Sequence, residues 1–218
     1  MKEVNSYGWK AVIGSSIGYA MDGFDLLILG FMLSLISGDL GLTTGQAGSL
    51  VTWTLVGAVI GGFIFGTLSD KFGRVRVLTW TIVLFAVFTG LCAFAQGYWD
   101  LLIYRTIAGI GLGGEFGIGM ALAAEAWPAQ HRAKATSYVA IGWQLGVLAA
   151  ALLTPVLLPY IGWRGMFMVG IIPAFVAWIF RAKLHEPEIF VQSKETKEHS
   201  HTNSFKLLVK DVRTTKTS

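Results

Sequence analysis

Four ionisable residues lie inside long apolar stretches of the sequence: Asp22, Asp25, Arg105 and Glu115. A charged side chain within a membrane-spanning helix costs roughly 2.5–3.5 kcal/mol on insertion scales, so such residues are usually functional and have a partner. An aspartate that loses a cationic partner in a low dielectric takes up a proton, because burial disfavours its charged form. Asp22, Asp25 and Arg105 therefore indicate either a proton-coupled site or a static ion pair that fixes helix packing.

The spacing along the chain places two of these residues at a similar depth. Asp25 lies about 16 residues, or roughly 24 Å, from the start of its apolar stretch. Arg105 lies about 6 residues, or roughly 9 Å, from the start of its own stretch, which runs the opposite way. In a hydrocarbon core of about 30 Å both residues fall near one level. Asp22 is three residues before Asp25, so both carboxylates can turn toward Arg105.

Two further polar side chains lie in the apolar stretches. Glu115 is roughly 15 Å beyond Arg105 on the same predicted helix, where it either lines a cavity or pairs with a group in the same half of the membrane. Gln144 is in the middle of a later stretch. Its amide must find partners, either in a neighbouring helix or in a ligand.

The elements that must position these residues are membrane helices. The 218 residues are 54% hydrophobic and only 14% charged, more apolar than the core of a soluble domain requires. A window of about 20 residues predicts an all-α integral membrane protein with six transmembrane helices. The spans are 9–37, 45–68, 77–96, 99–125, 136–160 and 165–184. They form a bundle over 1–184, and the polar segment 185–218 is predicted to be a cytosolic linker or tail.

Basic residues are concentrated in alternate connecting loops. Lys71, Arg74 and Arg76 follow the second span, and Arg132 and Lys134 precede the fifth. The positive-inside rule therefore places both loops, the N-terminus and the tail in the cytoplasm of a multi-pass protein of the cell membrane. The net charge of +4 thus reflects membrane topology rather than nucleic-acid binding. No catalytic nucleophile, metal-ligand set or phosphate-binding loop is evident, so neither an enzyme nor a cofactor is predicted.

Several motifs resemble those of major facilitator superfamily transporters. The segment 66–76, Gly-Thr-Leu-Ser-Asp-Lys-Phe-Gly-Arg-Val-Arg, resembles the family signature between the second and third helices. The segment 125–132 resembles the family's E-x-x-P-x-x-x-R loop, and Arg105 with its following glycines resembles the fourth-helix motif. Asp-Gly-Phe-Asp at 22–25 is similar to the first helix of aromatic acid/proton symporters and their nicotinate-transporter relatives. Gln144 matches a glutamine that contacts substrate in related sugar porters.

This resemblance covers residues 9 to about 190 and implies a fold and a function. In the family the first and fourth helices line a central cavity, which implies that Asp25 and Arg105 meet there. Family members have two six-helix halves with substrate bound between them, so the expected partners are a missing C-terminal half or a second copy, lipid, protons and substrate. The expected activity is proton-coupled symport of a small organic anion, such as an aromatic acid or nicotinate. The alternatives are a truncated or half-size protein that does not transport alone and a proton-independent sugar facilitator.

The cytoplasmic motif has its own predicted mechanics. Gly66 and Gly73 are expected to permit a tight turn, and charged residues at the span ends can cross-link helices: Asp70, Arg74, Glu125 and Arg132. Such a cluster either holds the inner side of a transporter shut and breaks on opening, or serves only to orient the helices by positive charge.

Overall fold

A computed structural model describes residues 6–182 of the chain, and it describes side chains for residues 6–179. Within these residues all regular structure is helical: α1 Ser6–Leu40, α2 Thr44–Phe72, α3 Arg74–Cys92, α4 Tyr98–Glu125 and α5 Arg132–Ala182, with a short 3-10 turn at Ala129–His131. The predicted tail at 185–218 lies outside the described residues. The predicted all-α class is confirmed.

Five described helices are long and apolar enough to cross a membrane. The first four correspond to the first four predicted spans, whereas the fifth predicted span and the described part of the sixth, 165–182, both lie in α5. This helix of 51 residues is interrupted by a kink at Gly162, whose φ of 64° and ψ of −179° are not helical. Only glycine adopts a positive φ at little cost. The predicted loop at 161–164 is therefore a kink between two helical segments, because helical turns run up to Gly162 from both sides.

A single glycine separates α2 from α3. Gly73 has a φ of 104°, and its N–H donates to the carbonyl oxygen of Ser69, which closes α2. Gly66, by contrast, lies inside α2, and among the described residues no atom outside its own stretch of helix is within 4 Å of the place where its β-carbon would be. The prediction that Gly66 permits the turn was wrong, because α2 continues to Phe72 before the chain reverses.

The helices pack in pairs, α1 along α5 and α2 along α4, with α3 against α4 and α5. Glycines set the separation of α2 and α4. A β-carbon on Gly57 or Gly61 would overlap the backbone of α4, and one on Gly109 or Gly113 would overlap that of α2. Between helices in lipid, close backbone contact replaces the hydrophobic effect as a source of stability. The helix that carries Arg105 is thereby held tightly in the bundle.

The apolar core and the apolar surface are both extensive. The largest core cluster brings Ile28 and Met32 of α1 together with Leu101 of α4 and Phe167 of α5. On the surface, large apolar side chains of α2 are exposed, and Phe63 is 80% exposed. A surface of this kind requires lipid or another protein segment to cover it.

Candidate functional site

Arg105 of α4 and Asp25 of α1 form a two-pronged ion pair inside the bundle. Nη2 of Arg105 donates to Oδ2 of Asp25 at 2.7 Å, and Nη1 donates to Oδ1 at 3.0 Å. The side chains are 0% and 1% exposed. Two parallel bonds between guanidinium and carboxylate are a strong and directional arrangement. Removing either partner would leave the other as an uncompensated buried charge.

Gly23, which lies between Asp22 and Asp25, helps to set the orientation of these two side chains. A β-carbon on Gly23 would lie 2.7 Å from the carbonyl oxygen of Trp143, so this face of α1 lies directly against α5. Further along the same contact, a β-carbon on Gly142 would overlap the carbonyl oxygen of Ser16. With the Gly23 face turned to α5, Asp25 two residues later is directed toward Arg105 on α4.

Asp22 occupies a different environment from Asp25. It is fully buried one turn earlier on α1, near the phenol of Tyr19. The Tyr19 ring packs against Phe116 and Trp143, with ring centroids 5.0 and 5.1 Å away. Of the two carboxylates proposed to share Arg105, Asp25 is the one that receives its hydrogen bonds in this structure.

Glu115 and Gln144 are not part of the ion pair. Glu115 is buried, and its Oε2 accepts a hydrogen bond of 3.2 Å from the hydroxyl of Thr81 on α3. This contact favours a partner within the bundle over a place on a cavity wall, the two alternatives left open by the sequence. Gln144 is exposed on α5. Of the five candidate residues, Asp25 and Arg105 therefore form an ion pair, and Asp22, Glu115 and Gln144 lie outside it.

A second group of charges, here called the Arg74 cluster, joins the ends of three helices. Arg74 at the start of α3 contacts Asp70 of α2 at 2.8 Å and Glu125 of α4 at 3.1 Å. Its Nη1 also donates to the hydroxyl of Ser69 at 2.6 Å. Arg74 is 18% exposed and Asp70 is 65% exposed. Arg132 is not in the cluster: it is exposed at the first residue of α5 and forms no ion pair with any described residue.

The opposite end of the bundle carries an ionic group that the sequence did not predict. Asp39 at the end of α1 accepts from Arg164 at 2.6 Å and from the indole N–H of Trp163 at 3.0 Å. The Arg164 guanidinium also lies 4.1 Å above the Trp163 ring. This group, called the Asp39 cluster, adjoins an open cavity of 610 Å³ beside the kink at Gly162. Asp39 lies at a span end and in no motif, so nothing marked it as a partner for Arg164.

Three uncharged side chains near the candidate sites were also missed. Ser69 supports Arg74, Thr81 supports Glu115, and Phe167 of α5 lies under the guanidinium of Arg105. Hydroxyl and phenyl groups are common in membrane helices, so their presence alone carries no signal. Only the relative rotation of the helices shows which of them meet a charge.

Comparison with known proteins shows extensive similarity to transporters. The sequence profile of the Major Facilitator Superfamily matches residues 15–216. A Haemophilus influenzae protein, described only in general terms as a metabolite transport protein, is 76% identical over 221 residues, which cover 99% of this chain and 54% of that protein. The cis,cis-muconate transport protein of Acinetobacter baylyi is 33% identical over 96% of this chain and 52% of its own length.

The niacin transporter NiaP of Acinetobacter baylyi is 30% identical over 85% of this chain and 42% of its own length. The chain thus spans about half the length of the curated relatives it matches. Among solved structures, the partially occluded inward-open xylose transporter XylE of E. coli superposes with a TM-score of 0.78. That match covers 94% of this chain and 54% of XylE at 23% identity, so it shows the fold alone.

Proposed function

Because this chain belongs to the major facilitator superfamily, a family of membrane transporters rather than enzymes, we propose that it forms one wall of a cavity for proton-coupled transport of a small organic anion. The observation that carries the proposal is the ion pair of Asp25 and Arg105, which joins two helices and is shut off from solvent. Ionisable side chains are costly to place in an apolar bundle, so a buried pair of them is a functional-site candidate by default.

Charge balance explains how this pair couples an anion to a proton. In the empty site Asp25 and Arg105 neutralise each other. When Asp25 takes up a proton, Arg105 loses its counter-charge and is free to bind the carboxylate of a substrate, whose geometry matches that of Asp25. The loaded site is again neutral, so neither state places a net charge in the low-dielectric interior. Release of the anion and the proton restores the original pair.

The neighbouring polar residues have supporting roles in this proposal. Asp22 and Glu115 are further buried carboxyl groups that can hold protons, and Gln144 offers amide donors to substrate from α5. A small carboxylate is supported as the substrate class by two relatives that are named for cis,cis-muconate and niacin. We propose that the Arg74 cluster is a cytoplasmic gate, whose ion pairs form in one conformation of the transporter and break in the other.

We also propose that α5 crosses the membrane twice, which gives six spans. A straight helix of its length would extend about 76 Å, far beyond a hydrocarbon core of about 30 Å. Each segment beside Gly162 is long enough to cross alone, at about 45 Å for 132–161 and about 30 Å for 163–182. With the basic loops inside, the N-terminus and the tail are then cytoplasmic.

Thiol labelling tests this topology. In a Cys92→Ala background, Lys71→Cys and Lys134→Cys should resist a membrane-impermeant thiol reagent in intact cells. Tyr160→Cys, whose native residue is 85% exposed just before the kink, should react. Labelling of the first two from outside would reject the orientation, and a protected Tyr160→Cys that reacts only in inverted vesicles would reject the double crossing.

Transport itself is proposed to require a second six-helix half. The test compares the chain expressed alone with the chain co-expressed with the part of the Haemophilus relative that it does not match. Uptake of labelled muconate, nicotinate, benzoate and xylose is followed with and without an inward proton gradient. We expect gradient-driven accumulation of an acid only when both parts are present. Equilibration of xylose without a gradient would favour a sugar facilitator, and no uptake by a folded complex would reject transport.

A further inference from the structure

The flat face of the Arg105 guanidinium lies over an aromatic ring from a third helix. Cζ of Arg105 is 5.8 Å from the ring centroid of Phe167, which belongs to the second segment of α5. Both side chains are 0% exposed. This separation is within the range of cation–π attraction, and that attraction is strongest where water is excluded.

The nitrogen atoms of the guanidinium differ in their hydrogen bonding. Nη1 and Nη2 donate to Asp25, whereas Nε finds no hydrogen-bond partner among the described residues. Cys92 of α3 lies beside the guanidinium: its S–H donates to the carbonyl oxygen of Phe88 at 3.2 Å, and its sulfur is a weak acceptor toward Arg105. Phe167 presents the electron-rich face of an aromatic ring to the cation, and it continues to do so once Asp25 is neutral.

We propose that Phe167 is a positioning residue that holds Arg105 in place while Asp25 is protonated. The inference rests on the proposed function, in which Asp25 is neutral during part of each cycle. In that state, until substrate binds, Arg105 would be a buried cation without a bound carboxylate, which is an expensive arrangement. The ring face is the negative end of a quadrupole and binds no proton, so its attraction persists when the carboxylate is neutralised.

Phe167 is itself held in a defined orientation. Its ring lies edge-on to Trp163, with centroids 6.1 Å apart and an interplanar angle of 89°. The Trp163 indole N–H donates to Asp39. The ring under Arg105 is thus fixed by the residues at the kink rather than by the ion pair that it supports.

The proposal is tested on the purified full chain in lipid nanodiscs by nitrogen-15 NMR of its arginine guanidinium groups. Arg105→Lys assigns the Arg105 signal, and the rate of rotation about its Nε–Cζ bond reports how firmly it is held. Asp25→Asn imitates the protonated carboxyl, and Asp22→Asn is added so that the second carboxylate cannot replace the first. In this background Phe167→Leu should accelerate the rotation about tenfold or more, as expected for loss of a desolvated cation–π contact.

Matched variants separate the ring's charge distribution from its bulk. Phe85→Leu removes another fully buried ring that faces α4, and it should leave the rotation rate unchanged. Ring-fluorinated phenylalanine at position 167 preserves the shape and weakens the quadrupole, so rotation should quicken with each added fluorine. The same rotation rate with native, fluorinated and Leu side chains would overturn the proposal. These spectra require no transport, so a failure of proton coupling would be recognised separately in the uptake assays.

Discussion

The buried pair and the Arg74 cluster use the same chemical groups in opposite surroundings. In both, an arginine meets a carboxylate at short range, 2.7 Å for Asp25 and 2.8 Å for Asp70. Asp25 is 1% exposed, whereas Asp70 is 65% exposed. Because the two distances are nearly equal, the energies of these contacts differ through the effective dielectric around them. A buried pair must exchange one partner for another, whereas a solvated cluster can open and close at little cost.

The largest expected effect is on stability. Asp25→Ala leaves Arg105 as a lone buried cation and should lower the free energy of unfolding by about 3 kcal/mol. Asp70→Ala removes a solvated partner and should cost about 1 kcal/mol or less. Both are measured by denaturant unfolding of the chain in detergent micelles. Asp25→Ala combined with Arg105→Met should recover most of the loss, since the penalty comes from the unpaired charge. Equal losses at the two aspartates would show that burial does not set the energetic difference between the two sites.

A smaller effect is expected when each arginine becomes lysine. Arg105→Lys keeps the charge but loses the planar fork, so the initial rate of acid uptake should fall by roughly tenfold. Arg74→Lys retains a point charge that water can bridge to Asp70 and Glu125, so its rate should change by less than about threefold. Both rates are measured on the chain co-expressed with the second half. A greater loss at Arg74 than at Arg105 would contradict this ranking.

The smallest effect should come from salt. Raising ionic strength from about 0.1 M to 1 M shortens the screening length from about 10 Å to about 3 Å, which weakens exposed charges and spares buried ones. Reactivity of Lys71→Cys in inverted vesicles, in a Cys92→Ala background, should therefore rise with salt as the Arg74 cluster loosens. The buried pair is monitored through the Arg105 guanidinium rotation rate, which should stay constant. A salt-sensitive Arg105 signal would show that water reaches the pair.

Much of this arrangement could be predicted from the sequence. Apolar stretches and their lengths give helices and depth, which is why the levels of Asp25 and Arg105 could be estimated before their contact was seen. The rotation of each helix about its axis is set by side-chain packing, which the sequence does not state. The sequence therefore did not decide whether Asp22 or Asp25 pairs with Arg105. It also gave no sign that Phe167 lies under the Arg105 guanidinium.

The helix ends show the same limit. Gly73 lies in its predicted turn because the chain must reverse there with a positive φ. Gly66 shares the motif but continues the helix, since a motif reports which residues occur together and not where the backbone bends. The kink at Gly162 falls in a predicted loop, but the sequence did not show that helical turns would reach it from both sides.

In the proposed mechanism, Asp25 must release and regain a proton in each transport cycle. Asp25→Asn imitates the permanently protonated acid, and it is tested in vesicles containing the chain together with its second half. Uptake of labelled acid driven by a proton gradient should be abolished. Exchange of labelled for unlabelled acid needs no net proton release, so it should persist at least in part. Full gradient-driven accumulation by Asp25→Asn would rule out proton coupling through Asp25, because a residue that never ionises cannot carry the coupling proton.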